Sequence, residues 1–159
     1  MIKVCDLMHR GVLYCYPDDS AKVIAEMMVT HEIRSVAVMD ESGEVWGSVS
    51  MLDLLRLYGK DLEHKRADEI MRPYRIEVDP QWPLEEAIKL MKKHKIEHLL
   101  IIDPHAGPKR PVGILTDFDI VRYMSDIKLG DFEQMLKVPS PSTARRPVRC
   151  LTSENGLGQ

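Results

Sequence analysis

The sequence predicts an α/β fold made of two β-α-β-β-α repeats packed about a pseudo-two-fold axis. The first observation behind this is that the chain repeats itself. His31-x-Ile33 recurs as His94-x-Ile96, and Met8, Pro17, Met28 and Asp40 recur as Met71, Pro80, Met91 and Asp103, all at an offset of 63 (31 to 94). After a short loop the offset becomes 66 (53 to 119), so Gly47-Ser48-Val49-Ser50-Met51-Leu52-Asp53 matches Gly113-Ile114-Leu115-Thr116-Asp117-Phe118-Asp119 and Arg56 falls on Arg122. Each copy ends in Gly-x-x-(Ser/Thr)-x-x-Asp. A unit of about 60 residues present only twice is too long and too few for a solenoid, which leaves two similar units sharing a cleft. The second observation is that the hydrophobic period changes in the same order in both copies.

The elements follow from that order. Residues 12–16 and 75–78 are short β-prone runs that stop at Pro17-Asp18-Asp19-Ser20 and Asp79-Pro80-Gln81-Trp82-Pro83, which are turn and helix-start signals. A helix follows each: Ser20 or Asp19 caps the first, with Ala21, Ile24, Ala25 and Met28 as its apolar stripe, and Pro83 suits the first turn of the second, with Leu84, Ala87, Ile88 and Met91. Residues 36–40 and 99–103 are continuous apolar runs of strand length, consistent with burial on both faces. Residues 41–44 form a hairpin turn, and Pro104 to Pro111 a longer version of it. Residues 45–49 and 112–115 are the returning strands; residues 52–58 and 118–124 are the closing helices. This sets repeat 1 at residues 3–60, a linker at 61–66, repeat 2 at 67–125 and a C-terminal extension at 126–159. In the extension, residues 126–138 have the pattern of a short amphipathic helix, and Arg145, Arg146 and Arg149 stand against a single acid, Glu154, in what reads as a loosely held tail.

Composition narrows the class of function. With 159 residues, 44% of them hydrophobic, the chain can bury a full core. A net charge of −3 provides no bulk attraction for nucleic acid or an anionic membrane, and no apolar run approaches the roughly 20 residues that span a bilayer. Without a signal-peptide core after Met1, the expected location is the cytoplasm. Cys5, Cys15 and Cys150 form no C-x-x-C pair and read as ordinary thiols. His94 and His98 have the i, i+4 spacing of helical metal ligands, but Ile96-Glu97 lies where helix gives way to strand, so no metal site is expected. There is no Gly-rich phosphate loop, Gly-x-Ser-x-Gly or supported Cys/His pair, and Asp117 is replaced by Met51 in the other copy, so no catalytic residue is expected.

The ending motif supports two readings. A Ser or Thr at a strand end and a carboxylate three positions on share a side, making a polar ledge. The carboxylates of Asp53 and Asp119 suit vicinal hydroxyls such as those of a ribose, while the hydroxyls of Ser50 and Thr116 with the N–H groups of the helix start can meet a phosphate. The same pattern is also a helix N-terminal capping box with no ligand role.

The ordered set of Asp6-Leu7-Met8 and Glu69-Ile70-Met71, His-x-Ile before the central strand, Asp after it and the Gly-x-x-(Ser/Thr)-x-x-Asp ending resembles the CBS domain, named after cystathionine β-synthase. Two in tandem resemble the CBS pair, or Bateman module, over about residues 3–125. The chain departs from the family in having Ala37 and Leu100 where a central-strand proline is common, and in the extended loop at 104–111. The resemblance implies that Asp53 and Asp119 bind the ribose of an adenosyl ligand, with Ser50 and Thr116 near its phosphate. It implies an adenine slot between the first strand, around Leu13 or Ile76, and the strand entering the motif, around Val49 or Leu115; these side chains are core residues in any reading, so only their backbone groups are candidates for function. Arg34 and His98, in the Arg34-Ser35 and Glu97-His98 pairs just before the central strands, match positions near phosphate. Arg34 suits a phosphate by its permanent charge, Glu97 at the equivalent place repels one, and the clefts are therefore expected to be unequal. The implied protein is a non-enzymatic regulatory module that binds AMP, ADP, ATP, S-adenosylmethionine or NAD, forms a homodimer and signals to a separate effector protein. The alternative is a ligand-free dimerisation scaffold.

Overall fold

The computed structural model describes residues 1–74, 76–105 and 110–126. The helix and tail expected in the C-terminal extension lie outside them. In chain order the elements are α1 (Val4–Leu7), β1 (His9–Arg10), β2 (Tyr14–Cys15), α2 (Ala21–His31), β3 (Ser35–Met39), β4 (Val45–Ser50) and α3 (Met51–Leu55). They are followed by α4 (Ala67–Ile70), β5 (Arg72–Pro73), α5 (Leu84–His94), β6 (His98–Ile102), β7 (Pro111–Thr116) and α6 (Asp117–Ser125).

The long helices start as their sequences require. The Ser20 hydroxyl accepts the Val23 N–H at 3.2 Å, and Ala21, Ile24 and Met28 are buried with Ala25 at the margin. Pro83 is the N-cap of α5 itself, one position before the expected first turn, and Leu84, Ala87 and Met91 are buried. Both helices stop alike: Glu32 and Lys95, 63 positions apart, adopt left-handed backbone at φ 52° and 51°. Asp40 closes the first hairpin by accepting the Ser42 and Glu44 N–H groups, and Asp103 accepts the N–H of His105. The β3–β4 and β6–β7 hairpins are the antiparallel pairs the sequence predicts. Three expected elements are shorter: the 12–16 strand is β2 at Tyr14–Cys15, the closing helix of the first copy ends at Leu55, not 58, and over residues 76–78 the strand pairing is one parallel bridge, Val78 to Ile101.

The sequence repeats are not the packing units. The sheets run β2-β3-β4-β5 and β1-β7-β6, so the opening strand of each copy completes the sheet of the other. His9 pairs with Ile114 and Arg10 with Gly113; Gly47 pairs with Pro73 and Ser48 with Arg72. The opening helices follow the exchange. Val4 and Leu7 of α1 join the core of Leu84, Met91, Ile101 and Ile120, while Ala67 of α4 joins that of Ile24, Met28 and Val36. A third core, with Tyr14, Ala37, Met39 and Leu100, gathers residues of both sheets, so Ala37 and Leu100 lie where the two copies meet.

The motif glycine makes the exchange possible. A Cβ on Gly47 would lie 2.2 Å from the Arg72 carbonyl oxygen, and one on Gly113 would lie 2.4 Å from that of His9. The opening strand of the other copy runs directly over each glycine, and no side chain fits between.

Candidate functional site

Two clefts are built from both copies. The first, about 320 Å³, is bounded by Gly11 and Leu13, by Arg34 and Ser35, and by Ile114, Thr116, Asp117 and Phe118. The second, about 420 Å³, is bounded by Ser48, Ser50 and Leu52, by Arg72, Tyr74 and Ile76, and by Lys95 through Leu100. Both volumes fall in the range of small-molecule sites. The expected pairing within a copy is therefore crossed: Leu13 faces the Thr116 motif and Ile76 faces the Ser50 motif. The cause is the chain topology that exchanges the opening strands.

Val49 and Leu115 are fully buried core residues, as expected of their side chains, so only their backbone groups remain candidates for an adenine slot. They pack into the helix-side cores, and because side chains alternate along a strand, their neighbours Ser48 and Ser50, Ile114 and Thr116 line the clefts instead. Across the hairpins Ser35 stands opposite Ser50, and His98 opposite Thr116.

Asp53 and Asp119 lie behind the hydroxyls and do not line the clefts, each only 5% exposed. Both helices have complete capping boxes. Asp53 Oδ2 accepts the Ser50 N–H and hydroxyl at 2.8 and 2.9 Å, and Asp119 Oδ2 accepts those of Thr116 at 3.0 and 2.7 Å. The other oxygen ties the copies together. Asp119 Oδ1 lies 2.7 Å from His9 Nε2, and Asp53 Oδ1 accepts Arg72 Nε at 3.3 Å and Arg56 Nη1 at 3.4 Å. His9 and Arg72 are equivalent positions of the repeat. Sequence reasoning missed them as a pair, although they follow Met8 and Met71 at the offset of 63. Burial raises the Asp119 pKa, but the hydrogen bonds from His9 and Thr116 outweigh it and leave the group below its usual value.

His98 lines both clefts, and its Nε2 lies 2.8 Å from Ser48 Oγ across the copies. Burial, against the attraction of Asp53, drives its pKa down to about 4, so the ring is neutral at physiological pH. Tyr74 lines the second cleft with its hydroxyl buried, and burial raises its pKa. No cluster that could hold a metal ion occurs among the described residues.

The model of the CBS domain family matches residues 4–60 and 67–126. The chain belongs to the CBS-domain family. Its two CBS repeats are similar to "Hypoxic response protein 1" of Mycobacterium tuberculosis, at 23% identity over 84% of this chain and 93% of that protein. The CBS domain pair of protein MJ0100, in complex with 5′-methylthioadenosine and S-adenosyl-L-methionine, superposes with a TM-score of 0.72 at 23% identity, covering 80% of this chain and 99% of that one. CBSX2 in complex with AMP superposes with a TM-score of 0.69 at 26% identity, covering 81% and 100%. No helix among the described residues is long and apolar enough to cross a membrane.

Proposed function

We propose that this CBS pair binds an adenosyl ligand, AMP, ADP, ATP, S-adenosylmethionine or NAD, in its crossed clefts and reports it to a separate effector protein. The observation that carries the reading is the pair of clefts, each joining an apolar wall at Leu13 or Ile76 to the hydroxyl of Thr116 or Ser50, in a fold similar to CBSX2 with AMP. Apolar walls suit adenine, and the hydroxyls suit ribose or phosphate. Asp53 and Asp119 stand one layer behind, where a carboxylate with several acceptor sites can serve the cap and a ribose hydroxyl together. The protein acts in the cytoplasm, as a homodimer, without catalysing a reaction. Because each cleft draws on both repeats, a ligand that contacts both favours one relative arrangement of them, and that difference in affinity is the signal.

A specific observation favours a second reading, the ligand-free scaffold: both motif carboxylates already serve helix caps and ties between the repeats. A thermal-shift panel of the five ligands separates the two. Ligand at 100 times its dissociation constant stabilises by about 2.7 kcal/mol, or roughly 5–10 °C for a chain of this size. No shift with any of them supports the scaffold.

A further inference from the structure

The two clefts differ in charge more than their shared fold requires. Among the described residues, the first cleft carries the carboxylates Glu32, Glu97 and Asp117 against one permanent cation, Arg34. The second is lined by Arg72 and Lys95 with Glu97 as its one lining carboxylate, Arg72 also reaching the buried Asp53 behind the cleft at 3.3 Å. Three features of the repeat create the contrast. The helix-ending position is Glu32 in one copy and Lys95 in the other, at nearly identical left-handed backbone. The first residue of the closing helix is Met51 in one and Asp117 in the other. Asp117 also uses the N–H most available to an anion at the start of α6, accepting it from Phe118 at 2.7 Å. A phosphate in the first cleft would therefore meet a helix start already served by a carboxylate, whereas in the second it would meet the Lys95 ammonium, the Arg72 guanidinium shared with Asp53, and the Ser48 and Ser50 hydroxyls.

Resting on the adenosyl reading above, we infer that the clefts take different ligands: the Arg72–Lys95 cleft a phosphorylated adenine nucleotide, and the Glu32–Asp117 cleft an adenosyl compound without phosphate, neutral or positively charged at its 5′ end. The Arg34 guanidinium shares its cleft with the carboxylates of Glu32, Glu97 and Asp117 and is not the main phosphate partner. One chain thus reads two chemical species.

Charge-swap variants test this with little risk to folding, because each copy already hosts the other's residue at the same backbone geometry. AMP and adenosine are titrated calorimetrically into the parent, Lys95→Glu and Glu32→Lys at low and moderate salt. Lys95→Glu is expected to lower the ratio of AMP to adenosine affinity by about ten-fold or more, the scale of a charge-assisted hydrogen bond, and to flatten its salt dependence. Glu32→Lys is expected to admit a second AMP per chain. An unchanged ratio in Lys95→Glu, or two equal AMP sites in the parent, overturns the assignment while leaving the adenosyl reading intact. A parent that binds neither AMP nor adenosine overturns both.

Discussion

Asp119 does two jobs with two oxygens, and substitutions can separate them. Asp119→Ala removes the capping box of α6 and takes away the carboxylate beside buried His9, so unfolding in urea should show a loss of about 2–4 kcal/mol. Asp119→Asn keeps an acceptor and should recover roughly half of that. If the carboxylate also serves a ribose, the Ala variant loses about 1.5–3 kcal/mol of AMP binding and its preference over 2′-deoxy-AMP; parent-like discrimination would leave the cap as its whole role. His98 gives a pH signature. Its folded pKa, about 4, lies below the ordinary histidine value of 6.5, so the stability from keeping it neutral is complete above pH 6.5 and falls progressively towards pH 4. The loss amounts to about 2–3 kcal/mol. Asp119, also depressed, adds a further loss as the pH falls below the ordinary carboxylate range. Melting temperatures of the parent and His98→Asn between pH 7 and 4 should converge as the pH falls; parallel curves would mean that His98 is not held neutral by the fold.

At the scale of elements, the glycines of the ending motif matter because of what crosses them. Gly47→Ala and Gly113→Ala each place a Cβ within 2.4 Å of a backbone oxygen that has no room to rotate away. Each is expected to cost about 2 kcal/mol or more by displacing β5 or β1. Gly59→Ala is the control. Gly59 has a φ of +83°, but a Cβ added there would meet nothing within 4 Å, so only backbone strain of about 1 kcal/mol is expected. Equal losses in all three by chemical denaturation would show that the strand crossing is not what requires the glycines. Period and caps were enough to place α2, α5 and the two hairpins, where ten or so residues share one pattern. The two-residue strands β1 and β5 carry no period of their own, and pairing with the other copy is what makes them strands.

The whole molecule exposes apolar side chains on matching helical faces. On the first copy Val29, Leu55 and Tyr58 are 76%, 67% and 94% exposed, and on the second Val121 and Met124 are 60% and 58% exposed. Two such faces related by the internal symmetry are suited to pairing with a second copy of the chain. The chain is expected to sediment as a dimer at tens of micromolar, and Leu55→Glu with Val121→Glu to yield a monomer that melts at a lower temperature. A monomeric parent, with and without AMP, would remove the dimer from the proposal.

What the sequence alone determined was the repeat, the order of the long helix, hairpin and closing helix in each copy and the capping chemistry of Ser50 and Thr116, because each is a local pattern and was present twice. Only the tertiary structure decided which copy each opening strand serves. The exchange crossed Leu13 with Thr116 and Ile76 with Ser50, and brought His9 and Arg72 to Asp119 and Asp53. A chain that repeats with a fixed offset leaves two partners of equal local fitness for each opening strand. Which one wins is a matter of packing between the copies, to which spacing along the chain is blind.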